Sequence, residues 1–238
     1  MIDMHCHIIP QVDDGSRSIT QTFEMAKRAS ELGYTGIFAT SHYIEHSNET
    51  NKKDLTNSID VINKMLKEKN INITLYQGNE AYFTPDLLEL YKQDKICTLG
   101  NSRYILMEFP MTGLAFNMEQ VVFSLINYGY IPIIAHPERY EFVDKDYKKL
   151  IPLINEGALL QGNIGSIMGV YGNSAKKNLI KLLKKNMISF FGTDSHNEYK
   201  IYDVYDKAVK KLEKVVGKEK MYKLLEENPK RVLENKDI

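Results

Sequence analysis

Short apolar runs alternate with longer amphipathic stretches along most of this 238-residue chain. Runs rich in β-branched and aromatic residues at 2–7, 36–42, 73–77, 104–109, 130–135, 158–162 and 188–192 read as strands. Each is too short for a stable helix. Between them, apolar positions recur at helical spacing. Ile19, Phe23, Ala26 and Ala29 make one such face, opened by the capping-box pattern Ser18-Ile19-Thr20-Gln21 and closed by Gly33. A polar stretch from Ile44 to Thr50 leads into a charged amphipathic helix that runs to about Lys69. Further helices are predicted at 84–91, 117–129, 144–155 and 174–185. Two more finish the chain, the last interrupted at Asn228-Pro229.

Strands that alternate with helices imply parallel pairing and right-handed crossovers. Seven such units with no Pro/Gly/Ser-rich linker predict one domain over 1–238, an α/β closed or nearly closed barrel. In such barrels functional groups gather at the C-terminal strand ends. Here those ends carry His7, His42, Glu80, Glu108, His136 and the pair Asp194 and His196. His5 precedes His7 by two residues, so on a strand both project from one face and Cys6 from the other. Five of the six histidines thus fall at predicted strand ends, a clustering that points to a metal centre. Only His46 lies elsewhere, in a polar loop.

Composition narrows the function classes. Hydrophobic residues at 43% and charged residues at 26% are ordinary for a globular protein. The formal net charge is zero, which argues against nucleic acid as partner. No apolar run approaches the roughly 20 residues of a membrane span, so no stable membrane insertion is expected. A basic-then-apolar leader pattern is also missing. Two cysteines far apart suggest a reducing, cytoplasmic setting.

The motifs themselves resemble a known group. Met1 to His7, Val12-Asp13-Asp14-Gly15, Thr40-Ser41-His42, Gly78-Asn79-Glu80, Ser102-Arg103-Tyr104, Ile134 to Tyr140 and Thr193-Asp194-Ser195-His196-Asn197 span nearly the whole chain. They look like the PHP (polymerase and histidinol phosphatase) superfamily. Within it they are similar to the CpsB-like metal-dependent tyrosine-protein phosphatases of bacterial capsule and exopolysaccharide loci. His-x-His is widely shared, whereas His136-Pro137-Glu138-Arg139-Tyr140 and the Asp-Asp-Gly turn are much more specific to that subgroup.

The resemblance implies a distorted seven-stranded (β/α)7 barrel of PHP type holding three metal ions. Carried onto this sequence, one ion takes His5, His7, Glu80 and Asp194. A second takes Glu80 as a bridge with Glu108 and His136, and a third takes Asp14, His42 and His196. Mixed carboxylate and imidazole ligands suit manganese, iron or zinc, and the family favours manganese. Paired ions make a hydroxide from bound water near neutral pH and clamp phosphoryl oxygens. Asp14 and His42 are expected to act in catalysis, with Arg139 as the guanidinium fork on phosphate. Members often carry another arginine after the Asp-x-His-Asn segment. Here the region reads Glu198-Tyr199-Lys200-Ile201-Tyr202, and Lys200 is the cation that could bind substrate in its place.

The implied substrate is phosphotyrosine on the tail of a membrane-associated bacterial tyrosine kinase that controls polysaccharide export. Competing readings are a small-molecule phosphatase, such as one acting on histidinol phosphate, and a non-catalytic PHP binding module. Cys97 to Arg103 also matches Cys-x5-Arg, the phosphate loop of cysteine-based phosphatases. That loop must feed a helix N-terminus, whereas Arg103 leads into a strand, so Cys97 is not expected to be a nucleophile. Tyr43, Phe83, Phe116 and Tyr140 fall on loops where an aromatic could flank a tyrosyl ring. Lysine-rich helices, with Lys176-Lys177, Lys184-Lys185 and Lys210-Lys211, read first as solvated faces and second as attraction for an acidic tail or a membrane.

Overall fold

The computed structural model describes residues 1–238. Its seven strands are β1 (Ile2–Cys6), β2 (Gly36–Tyr43), β3 (Thr74–Tyr82), β4 (Tyr104–Glu108), β5 (Ile131–Ala135), β6 (Leu159–Asn163) and β7 (Phe190–Gly192). They pair parallel in chain order, β1 through β7. The ring closes only near the C-terminal ends, where the Asp194 amide donates to His5 O at 2.7 Å and the His7 amide donates to Ser195 O at 3.0 Å. It is therefore a nearly closed α/β barrel.

A bulge in β1 decides which way the histidines face. Ile2 pairs with Gly36 and Asp3 with Ile37, but Cys6 pairs with Ala39, so three steps on β1 oppose two on β2. Strict alternation from Ile2, whose side chain packs inside the barrel with Met4 and Phe38, would send His5 and His7 outward. The extra residue reverses the alternation after Met4, and Cys6 faces the outer core instead. Asp3 covers the amides that the bulge frees. Its carboxylate accepts from the His5 amide at 3.2 Å, the Thr193 amide at 2.8 Å and the Thr193 hydroxyl at 2.6 Å.

Ten helices cover the barrel: α1 (Ile19–Glu31), α2 (Lys52–Glu68), α3 (Leu87–Lys92), α4 (Met118–Tyr128), α5 (Glu141–Asp146), α6 (Ile151–Glu156), α7 (Gly172–Lys184), α8 (Ile201–Val216), α9 (Lys218–Tyr222) and α10 (Asn228–Leu233). Ser18 caps α1 by accepting from the Gln21 amide at 3.2 Å, while Gln21 Oε1 accepts from the Arg17 amide at 2.8 Å. The buried faces of these helices and the outer strand residues make one core of 51 residues. A second core of ten residues plugs the lower barrel. None of the helices is long and apolar enough to cross a membrane.

Three expectations need correction. β3 runs on to Tyr82 rather than ending at Gln77, because β2 keeps pairing with it as far as Tyr43 and Ala81. Glu80 thus sits inside a strand, directly beside His42. The single helix expected at 144–155 is two, α5 and α6, separated by a 3₁₀ turn at Tyr147–Leu150. Pro152, which has no amide to give, sits in the first turn of α6. At the C-terminus a π-helical turn, Lys223–Glu227, joins α9 to α10, so Pro229 enters at the start of a new segment.

Candidate metal centre

β1, β3, β4 and β7 deliver their C-terminal side chains to one point above the ten-residue plug. His5, His7, Glu80 and Asp194 are all buried there. His5 Nε2 lies 3.0 Å from His7 Nε2, 3.2 Å from Glu80 Oε2 and 3.5 Å from Asp194 Oδ1. His7 Nε2 lies 3.4 Å from each of the same two oxygens. The other nitrogen of each ring is already spoken for: His5 Nδ1 meets Gln161 Oε1 at 2.9 Å and His7 Nδ1 meets Asp13 Oδ2 at 2.8 Å. Both partners are acceptors, so each Nδ1 donates outward and each Nε2 is left facing the carboxylates.

Imidazole nitrogens crowded against carboxylate oxygens in this way make a good ligand set. Four ligands at about 2.1 Å from a tetrahedral centre stand roughly 3.4 Å apart, which matches the spacing here. Glu80 Oε2 is buried and has no aligned hydrogen-bond donor, although three imidazole nitrogens lie within 3.4 Å of it. The residues present fit a cation.

Two further groupings adjoin the first. Glu80 Oε1 lies 2.9 Å from His136 Nε2, which is 3.5 Å from Glu108 Oε1. His42 points Nδ1 at Glu80 Oε2, 3.0 Å away, and Nε2 toward Asp14 Oδ1 at 3.6 Å. Asp14 Oδ1 is also 3.3 Å from His196 Nε2. Ligand-bearing atoms converge in three sets: His5, His7 and Glu80; His42, Glu80 and Glu108; and His7, Asp14, His42 and His196. All nine residues expected as ligands are brought together. The sets differ from the expected division: His42 and His7 each border two groups, and Asp194 and His136 stand beside the three sets rather than within them.

The electrostatics say the same. Burial works against charge on every member, yet the Glu80 and Asp194 carboxylates raise His5 to about 9. Burial is again overcome at Glu80, which the surrounding histidines hold well below the usual carboxylate range. Glu108 is pushed up to about 7 by burial and by Glu80 beside it. A divalent ion would relieve both the carboxylate repulsion and the need to charge the imidazoles.

Close backbone approaches set this geometry. A Cβ on Gly15 would land 2.2 Å from His7 O, and one on Gly192 would land 2.5 Å from His5 Cβ. Only glycine fits at either position.

Arg139 reaches the rim from the 3₁₀ turn Pro137–Arg139. Its Nη1 donates to Asp194 Oδ2 at 2.7 Å, and its guanidinium stacks on Tyr171 at 4.5 Å. Asn163 Nδ2 donates to the same Oδ2 at 2.6 Å, which leaves Oδ1 for the histidine side. Lys200 Nζ lies 5.8 Å from the Tyr171 ring, and Arg139, Tyr171, Asp194, His196 and Lys200 line a cavity of about 170 Å³. A cavity of about 700 Å³ at the start of α2 shares no residue with this site.

Other candidates fall away from the centre. Cys97 is buried and burial raises its thiol to about 11, while Arg103 pairs with Asp237 near the C-terminus. No phosphate loop joins them. Tyr140 is buried, its hydroxyl donating to Ala135 O at 2.7 Å and accepting from the Phe109 amide at 3.0 Å. Tyr43 is buried as well, and Phe83 packs against Phe109. His46 is exposed beside Glu49. Glu138 lies buried under the loop, accepting from the Asn163 amide at 2.9 Å and from the Ser166 hydroxyl at 2.6 Å. Asp13 and Tyr171 carry no expectation from the sequence. The doubled acid of Asp13-Asp14 was the signal for the first, and nothing local marks the second.

Comparison with known proteins gives consistent matches. The family model for capsular polysaccharide synthesis, CpsB/CapC, matches residues 1–234. The chain is 35% identical over 199 residues to a putative tyrosine-protein phosphatase CapC of Staphylococcus aureus, covering 83% of this chain and 77% of that one. It is 33% identical over 241 residues to the tyrosine-protein phosphatase YwqE of Bacillus subtilis, covering 100% and 93%. Among solved structures, those of YwqE from Bacillus subtilis and CpsB from Streptococcus pneumoniae, described as metal-dependent tyrosine phosphatases, include a chain that superimposes with a TM-score of 0.95. It shares 32% identity and is covered to 96%, with 100% of this chain matched.

Proposed function

The chain belongs to the CpsB/CapC family of capsular polysaccharide synthesis, and we propose that it hydrolyses phosphotyrosine on the tail of a bacterial tyrosine kinase governing polysaccharide export. It is a metal-dependent tyrosine-protein phosphatase by its relatives. The catalytic unit we take to be the whole chain, 1–238, working in the cytoplasm where such a tail would lie.

The observation that carries the choice of a protein substrate is the open rim. Asp14 is 72% exposed while His5, His7 and Glu80 beneath it are buried. A phosphotyrosyl side chain can reach such an edge from an extended peptide, whereas a metabolite site normally encloses its ligand.

The ligand sets are assigned as His5, His7, Glu80 and Asp194; Glu80, Glu108 and His136, with His42 alongside; and Asp14, His42 and His196. Three manganese ions are the preferred occupants, and the donor set suits iron or zinc as well. When bound, the ions activate water and neutralise phosphoryl charge. Arg139 orients the phosphate with the guanidinium edge not used by Asp194. Asp14 and His42 stand at the open side, where the phosphoryl group arrives. Lys200 adds a point charge at the cavity wall.

The test compares kcat/KM for a phosphotyrosyl peptide and for histidinol phosphate with manganese supplied. The proposal expects the peptide to win by orders of magnitude. Preference for histidinol phosphate would make the role metabolic.

A further inference from the structure

Helices α7 and α8 both start at the rim of the cavity and run along one side of the barrel. Tyr171, under Arg139, immediately precedes α7, and Lys200 immediately precedes α8. α7 contains no acidic residue; Lys177, Lys181 and Lys184 share one side of it, with Lys181 Nζ 4.3 Å over the Tyr147 ring, and Lys176 lies about 100° round the helix from Lys177. α8 carries Lys207, Lys211 and Lys214 at the same spacing, and Asp203, one turn before Lys207, is paired with Arg28 at 2.7 Å. The lysine ion pairs of the chain, at Lys52, Lys92, Lys145, Lys223, Lys230 and Lys236, all lie outside this stretch.

Two lysines instead meet on the loop between β6 and α7: a Cβ at Gly169 would lie 3.6 Å from Lys176 Cδ, two residues from the carbonyl that Lys211 reaches. Lys211 Nζ donates to Ile167 O at 2.9 Å, and its charge is disfavoured by burial and by Lys176 next to it. Two like charges held at one loop are relieved by an anion bridging them.

We propose that the seam between α7 and α8, where Lys176 and Lys211 meet with Lys207 and Lys214 alongside, docks the acidic or further phosphorylated residues flanking the phosphotyrosine being hydrolysed. This rests on the phosphatase reading above. The length fits. Lys200 to Lys211 spans about 16 Å along the helix. At about 3.3 Å per extended residue, an anionic group roughly five residues from the scissile phosphotyrosine meets Lys211 and Lys176. A peptide is favoured over a membrane because the face is continuous with the cavity that holds the reacting group.

The test uses the manganese-loaded full chain and two peptides with the same phosphotyrosine, one flanked by neutral residues and one bearing acidic or phosphorylated residues five positions away and beyond. Wild type should favour the polyanionic peptide by about tenfold in kcat/KM, a preference that fades as salt screens it. Lys176→Ala with Lys211→Ala should abolish the preference and leave the neutral peptide unchanged. Lys207→Ala with Lys214→Ala, which touches no loop carbonyl, should weaken it without any folding concern. An undiminished preference in both variants, or none in wild type, overturns the proposal. If wild type hydrolyses neither peptide, the phosphatase reading has failed. Fluorescence anisotropy with the polyanionic peptide then decides the docking face alone, equal binding by wild type and variants refuting it. Loss of binding to phosphatidylserine vesicles with the peptide preference intact would give the face to a membrane instead.

Discussion

Arg139 and Asp194 meet at 2.7 Å, so the side chain proposed to bind phosphate also holds a proposed metal ligand. The guanidinium approaches Asp194 Oδ2 while Oδ1 faces His5 and His7. One substitution should therefore produce two separable effects. Arg139→Lys keeps a charge but loses the planar fork, and kcat should fall about 10²–10³-fold. Metal content, read by elemental analysis, should fall less than in Arg139→Ala, where Asp194 loses its partner. Equal metal loss in both variants would contradict a charge at position 139 as what holds Asp194, and an unchanged kcat in Arg139→Lys would contradict the fork.

Asp13 ties together two groups of the proposed ligands. It accepts from His7 Nδ1 at 2.8 Å and from the His42 amide at 2.9 Å. Asp13→Asn should weaken metal affinity about 10–100-fold in a chelator-competition titration, with the fold retained. Wild-type affinity in that variant would mean that the hydrogen bonds do not orient the rings.

Cys97 should prove inert. Its thiol is buried and raised to about 11, so little thiolate exists at neutral pH. Cys97→Ser is expected to keep full phosphatase activity, measured as kcat/KM on a phosphotyrosyl peptide. A loss of several orders of magnitude in folded protein would restore a cysteine mechanism.

Much of this was legible in the sequence because strand ends in parallel barrels are where side chains converge. The seven strands were readable from their apolar runs, and His5, His7, His42, Glu108, His136 and Asp194 from where those runs stop. The bulge after Asp3 was not, since it shows only in the register of β1 against β2, with the Asp3 carboxylate held by the distant Thr193. Glu80 was placed past its strand for a related reason: polar Gln77, Asn79 and Glu80 look like a turn until the pairing with β2 is known. Gln161, Asn163 and Tyr171 act only through contacts between distant segments, and local pattern carries no such information. The helix at 144–155 was misread because helical periodicity continues across the 3₁₀ turn before Pro152.

Glu138 offers a stability test through pH. Burial raises its carboxyl to about 7, well above the unfolded value near 4.3. The folded state binds the extra proton, so this contribution is full below about pH 4.3 and is lost as pH rises through about 7. Glu138→Gln removes the ionisation. The variant should gain stability relative to wild type between pH 5 and 8 in paired urea titrations, in which the shared histidine and carboxylate effects cancel. A constant difference across that range would place the Glu138 pKa elsewhere.

The most direct test of the account is kcat/KM on a phosphotyrosyl peptide before chelation, after exhaustive chelation and after manganese is restored. The account predicts that activity disappears with the metal, returns with manganese, and does not return in His136→Ala. Undiminished hydrolysis in chelated protein would contradict it.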